Sequence, residues 1–66
     1  MSLTSQEKNL AVIYYSGSRE DTIAQLREAL PDIAEPDTLA AAHSIIGKLE
    51  SISDMEFSLT FREVLL

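Results

Sequence analysis

Tyr14-Tyr15-Ser16-Gly17-Ser18-Arg19-Glu20-Asp21-Thr22 reads as the end of one helix, a tight turn and the start of the next. Gly17 follows an apolar run that closes on Tyr14 and Tyr15. Glycine carries no Cβ penalty in the left-handed conformation that ends many helices, so it suits the position just past the first helix. Ser18 suits an N-cap, because its hydroxyl can accept a hydrogen bond from a free N–H of the next helix. Asp21, three residues on, is placed to reach back as in a capping box. Glu20 and Asp21 put negative charge at the positive end of the helix dipole, whereas Arg19 runs against that trend. Arg19 is therefore read in two ways: a solvated cation stacked on Tyr15, or a contact to a partner or a buried acid.

Upstream, Thr4-Ser5-Gln6-Glu7 fits a capping box, with Thr4 as N-cap and Glu7 at N3. The first helix is expected from about Ser5 to Ser16. Leu3, Leu10, Ile13 and Tyr14 share one face at helical spacing and are assigned to the core. Val12 and Tyr15 form a second apolar strip on another side. Such a helix is buried on more than one side, either by a second subunit or partner, or by the C-terminal segment of the same chain.

Downstream, the second helix is expected from Arg19 to about Ala29 or Leu30, with Ile23, Leu26 and Leu30 as its core stripe. Pro31 ends it, because the residue before a proline is pushed out of helical angles. Ile33 is the apolar plug of the connection that follows. Asp32, Glu35 and Asp37 make this the most acidic stretch. It lacks the alternating oxygen ligands and the turn glycine of a calcium loop, so Asp37 is read as the N-cap of the third helix. That helix is expected from about Thr38 to Ser51 or Ile52, with Leu39, Ala42, Ile45, Ile46, Leu49 and Ile52 as a wide stripe. Gly47 lies inside it and costs up to about 1 kcal/mol relative to alanine. Close packing against a bulky neighbour would justify it. His43 is the only histidine, and it has no nucleophile or ligand set around it at helical spacing.

Ser53-Asp54-Met55-Glu56 is another capping box and promises a fourth helix. Yet Met55, Phe57, Leu59 and Phe61 alternate with polar residues, which is the period of a strand. A strand here would have to pair across a dimer, because nothing else in the chain reads as strand, so the helical reading is preferred. The chain runs apolar to Val64-Leu65-Leu66, and this end is expected to dock on the core or on another chain.

At 66 residues the chain is a single small domain, 1–66, with no cysteine for a disulfide staple or a thiolate metal site. A lone core of this size buries only about 60 % of the unfolded surface, so tight helix packing or oligomerisation is the remaining aid. Eleven acids against five bases give a charge of −6. That balance argues against direct nucleic-acid binding, which needs cations to neutralise phosphates, and against an anionic membrane surface. The longest apolar run, Leu10 to Tyr15, is far short of the roughly 20 residues of a spanning helix. No basic region precedes an apolar core at the N-terminus, so no secretion signal is read and a cytoplasmic location is expected.

Two segments together carry a family resemblance: Tyr14-Tyr15-Ser16-Gly17-Ser18-Arg19-Glu20-Asp21-Thr22-Ile23-Ala24, and Ile46-Gly47-Lys48-Leu49-Glu50-Ser51-Ile52-Ser53-Asp54-Met55-Glu56-Phe57. The chain resembles short accessory proteins encoded on bacterial conjugative transposons, over about residues 7 to 59. Arg62-Glu63-Val64-Leu65-Leu66 departs from the acidic tail such proteins often carry. The resemblance implies a mobile-element setting and no particular reaction.

These readings converge on an all-α fold, a compact bundle of three or four short helices whose C-terminal segment is helical or extended. The expected core is Leu10, Ile13, Tyr14, Ile23, Leu26, Leu30, Ile45, Ile46, Leu49 and Phe57. The expected function is a small non-catalytic interaction or regulatory protein that self-associates as a homodimer. Its binding residues are Val12, Tyr15, Arg19 and Leu65. The alternative is an acidic inhibitor that occupies a basic nucleic-acid-binding site on another protein. No catalytic residue, metal, cofactor or small-molecule substrate is expected.

Overall fold

The computed structural model of the chain describes residues 2–65, with side chains in the last helix as far as Arg62. Four helices follow one another: α1 (Ser5–Ile13), α2 (Arg19–Ala29), α3 (Pro36–Glu50) and α4 (Asp54–Leu65). A 3₁₀ turn, Leu30–Asp32, extends α2. The bundle measures 31 × 21 × 20 Å. There is no strand among the described residues, and the alternation of residues 55–61 does not become one. Ser53 Oγ accepts from the Glu56 N–H at 3.1 Å and starts a helix. Phe57 and Phe61, four residues apart, then fall on one buried face.

Each start has a local cause. Thr4 Oγ1 accepts from the Glu7 N–H at 3.1 Å, and Glu7 Oε1 accepts from the Thr4 N–H at 2.8 Å, which completes the capping box of α1. Ser18 Oγ accepts from the Asp21 N–H at 3.1 Å to start α2. Gly17 between them takes φ +95°, the left-handed region that glycine enters without strain. The first helix stops at Ile13, three residues before the expected Ser16. The Ser16 N–H leaves the helical ladder and donates instead to the buried Thr22 hydroxyl at 3.1 Å.

The third helix begins earlier than expected, at Pro36, and Asp37 lies in its first turn rather than at its N-cap. Proline is at home in the first helical position, where its missing N–H would have been unpaired anyway. Gly47 is a second correction. A Cβ there would meet nothing within 4 Å, so no bulky neighbour explains it.

The core is built from Leu10, Ala11, Ile23, Leu26, Ala42, Ile45, Ile46, Leu49, Phe57 and Phe61, with Tyr14, Leu30 and Ile33 packed half-buried against it. Ile13 does not join them and is 70 % exposed. The inward face of α1 is centred on Glu7, Leu10 and Ala11, which sets Ile13 off its edge. Full burial of a large aliphatic or aromatic side chain contributes about 1.5–3 kcal/mol, so most of the stability resides in α2, α3 and the two phenylalanines of α4.

Candidate functional site

Three of the expected binding residues, Val12, Tyr15 and Arg19, lie around the α1–α2 turn, and the fourth, Leu65, is the last residue of α4. Val12 and Tyr15 remain 39 % and 38 % exposed. One face of Tyr15 is nonetheless used internally. Its ring stacks on Phe61 with centroids 5.1 Å apart and on Phe57 at 6.0 Å, and the two phenylalanine rings lie 4.4 Å apart. Tyr15 is thus a half-open lid over the aromatic pair of α4. The side chain of Leu65 lies outside the described residues.

Arg19 makes neither the cation–π stack nor a wholly solvated ion. Its Nε donates to Asp54 Oδ1 at 2.7 Å and its Nη1 donates to the Leu49 carbonyl at 3.2 Å. The guanidinium therefore satisfies a carbonyl of the last turn of α3 and a carboxylate in the first turn of α4. A shallow cavity of about 300 Å³ opens beside it, walled by Gly17, Ser18, Phe57 and Ser58. Both hydrogen bonds of Arg19 are made within the molecule, one to a half-buried backbone carbonyl and one to an exposed carboxylate.

The strongest polar constellation was not expected. Glu7 is buried, and its Oε1 accepts from the Lys48 ammonium at 2.8 Å and its Oε2 from the Ser44 hydroxyl at 2.6 Å. Lys48 also donates to the Ser2 carbonyl at 3.0 Å. Burial alone would raise the Glu7 carboxyl. The Lys48 ammonium, the Ser44 hydroxyl, and the N–H and hydroxyl of Thr4 outweigh it and lower the pKa from 4.5 to about 2. A carboxylate held that low is a weak proton acceptor at neutral pH, so the geometry clamps α1 to α3 rather than activating Ser44. The signal was present in the sequence: Glu7 stands in helical register with Leu10 and Tyr14, an acid on the apolar face. Its role in the capping box explained the residue without this second set of partners. Ser44 and Lys48, four apart, share a side of α3 and could have been paired with it.

His43 is exposed on α3, and Glu50, on the same helix, pairs instead with Arg27 of α2. Of the five bases, three are therefore tied to carboxylates within the molecule: Arg19, Arg27 and Lys48. The exposed carboxylates of Glu20, Asp21, Glu28, Asp32, Glu35, Asp37 and Glu56 have no ion-pair partner among the described residues. No described helix is long and apolar enough to cross a membrane.

No curated protein and no solved structure matches the chain. A family model described as "Putative transposon-transfer assisting protein" matches residues 3–61, which take in the turn at Gly17, the Glu7 clamp and both phenylalanines of α4, and the chain belongs to that family of mobile-element accessory proteins.

Proposed function

We propose that the protein assists transposon transfer without catalysing a reaction, by self-association through the apolar end of α1. The observation that carries this reading is the exposure of Val12, Ile13 and Tyr15 on a bundle of this size. Val12 and Tyr15, three apart, lie on one side of the end of α1, and exposed apolar side chains that share a side mark contact surfaces more often than single scattered ones. Their electrostatic setting fits. From Lys8 to Arg19 the chain contains no acid, so two copies meeting here avoid the carboxylates that crowd the rest of the surface. Light scattering of the intact protein over a wide range of concentrations tests it. The expected result is a mass that exceeds one chain and rises with concentration, and that returns to one chain in Val12→Asp. A mass of one chain at every concentration overturns the reading.

A second reading has one observation in its favour. With three bases consumed internally, the unpaired surface charge is strongly negative, as in a protein that covers a basic nucleic-acid site on another. Such an inhibitor would compete with DNA for a basic protein, and its binding would weaken steeply as salt is raised. Binding that ignores ionic strength would dismiss it.

A further inference from the structure

The break between α3 and α4 lacks the residues that end most helices. Ser51-Ile52-Ser53 holds neither glycine nor proline. Among the described residues none after α3 takes the left-handed conformation, and Ser51 keeps near-helical angles of φ −91° and ψ −4°. The bend therefore falls on Ile52 and Ser53. Neither side chain forbids a single helix from Pro36 to Leu65.

Hydrogen bonds hold the break instead. In an uninterrupted helix the Lys48 carbonyl accepts from the Ile52 N–H, and the Leu49 carbonyl accepts from the Ser53 N–H. Here Lys48 accepts from the N–H and the hydroxyl of Ser51, at 3.2 and 2.8 Å. Leu49 accepts from Arg19 Nη1 at 3.2 Å, while Arg19 Nε holds Asp54, the first residue of α4, at 2.7 Å. Ser51 belongs to the junction, but Arg19 comes from α2. Its guanidinium occupies a carbonyl that a continuous helix needs.

Straightening costs a single chain the burial of Phe57 and Phe61, 3 % and 2 % exposed, and their stack on Tyr15. A helix over residues 36–65 is about 45 Å long, beyond the 31 Å length of the bundle, so α4 cannot then fold back on its own chain. A second copy removes that cost. It offers the same seat under its own Tyr15, and two chains that exchange α4 remake the contacts of that helix away from the junction.

We propose that Arg19 is the pin that keeps α4 seated on its own chain, and that without it α3 and α4 join into one helix whose phenylalanines pack under Tyr15 of a second copy. This contact is distinct from one through Val12 and does not depend on it.

Light scattering and circular dichroism in a Val12→Asp background test it, so that association through the end of α1 does not contribute. Arg19→Leu is expected to raise the two-chain species about tenfold, since a bond from a charged donor is lost at the junction, and to increase the helix signal. Adding Asp54→Pro is expected to return the mass to one chain, because proline suits the first position of a separate helix and breaks a continuous one. Ser53→Ala removes the cap of α4 and should act in the same direction as Arg19→Leu, so it replaces that variant if the latter does not fold. A mass of one chain for both variants overturns the proposal. Two chains that survive Asp54→Pro overturn it as well, since the contact then needs no continuous helix. Either result leaves self-association through Val12 untouched. A native protein that is monomeric at every concentration removes the Val12 contact and is what a working pin predicts.

Discussion

Lys48 and Arg19 each join a carboxylate across two helices, but the carboxylates sit in very different surroundings. Glu7 is 2 % exposed and accepts from Lys48, Ser44 and Thr4, whereas Asp54 is 78 % exposed and has Arg19 alone among the described residues. The first pair fastens α1 to α3 with its carboxylate buried and its ammonium about a third exposed. The second fastens the start of α4 at the surface, where the attraction is screened and the free ions are well hydrated. The same pairing of residue types thus does unequal work, and burial is the variable. A buried pair adds little relative to a well-packed apolar pair, but removing one partner strands the other charge. An exposed pair broken on one side simply returns its ions to water.

The largest effect should follow from Lys48→Met. It leaves the Glu7 carboxylate buried without its cation, at about 3 kcal/mol of lost stability, read as the urea midpoint of unfolding. Replacing both partners, as Glu7→Leu with Lys48→Met, should recover much of that loss. If the single change costs no more than Arg19→Ala, the distinction drawn between the two pairs is wrong.

Acid should reveal nearly as much. The Glu7 pKa is lowered from 4.5 to about 2 in the folded protein, so the folded state holds this group ionised where the unfolded chain takes up a proton. The resulting stability is complete above pH 4.5 and is lost as pH falls toward 2. Across that shift it amounts to about 3 kcal/mol. Denaturant melts of the native protein and of Glu7→Gln at several pH values isolate the term. The native protein should lose its advantage progressively below pH 4.5, and a constant gap between the two would exclude the clamp as its source.

Most of the fold is legible in residues 4–30 and 36–61, because caps and periodicity act locally. Thr4, Ser18 and Ser53 each start a helix by a bond spanning three residues, which a sequence displays directly. The same locality misplaced Ile13, whose spacing from Leu10 fits a core stripe. Which flank of that stripe is covered depends on where α3 crosses α1, and nothing in α1 records it. Ala11, small enough for the close approach, took the buried place instead. The site was less legible for a related reason. The second strip is read as covered by a partner or by the C-terminal segment, and Tyr15 is half-covered by Phe57 and Phe61 of α4; that Tyr15–Phe61 stack joins residues 46 positions apart in the chain, and Glu7 likewise meets Ser44 and Lys48 on α3. Arg19, read as a solvated cation stacked on Tyr15 or as a contact to a partner or a buried acid, instead meets an exposed acid and a backbone carbonyl of its own chain, which depends on the placement of Leu49 and Asp54.

On the exposed side of the comparison, Arg19→Ala should cost about 1–2 kcal/mol, because the guanidinium also satisfies the Leu49 carbonyl. Asp54→Asn, which removes only the screened charge, should cost less than about 1 kcal/mol. The two values separate the carbonyl contact from the ion pair. Equal losses would mean that the charge, not the bond to α3, carries the effect.

Arg27 and Glu50 extend the series to its lower end. This pair joins α2 to α3 with both side chains about half exposed and no further partner for either among the described residues. Its geometry crosses two helices as the Glu7 clamp does, so a rule based on connectivity alone would rank it beside Lys48. A rule based on burial ranks it last. A double-mutant cycle with Arg27→Ala and Glu50→Ala should give a coupling of about 0.3 kcal/mol that disappears in roughly 0.5 M salt. The corresponding cycle at Glu7 and Lys48 should keep most of its coupling in the same salt, since counter-ions cannot approach a carboxylate enclosed by α1 and α3. A salt-resistant coupling at Arg27 would show that bridging two helices, rather than exclusion of water, sets the strength of these pairs.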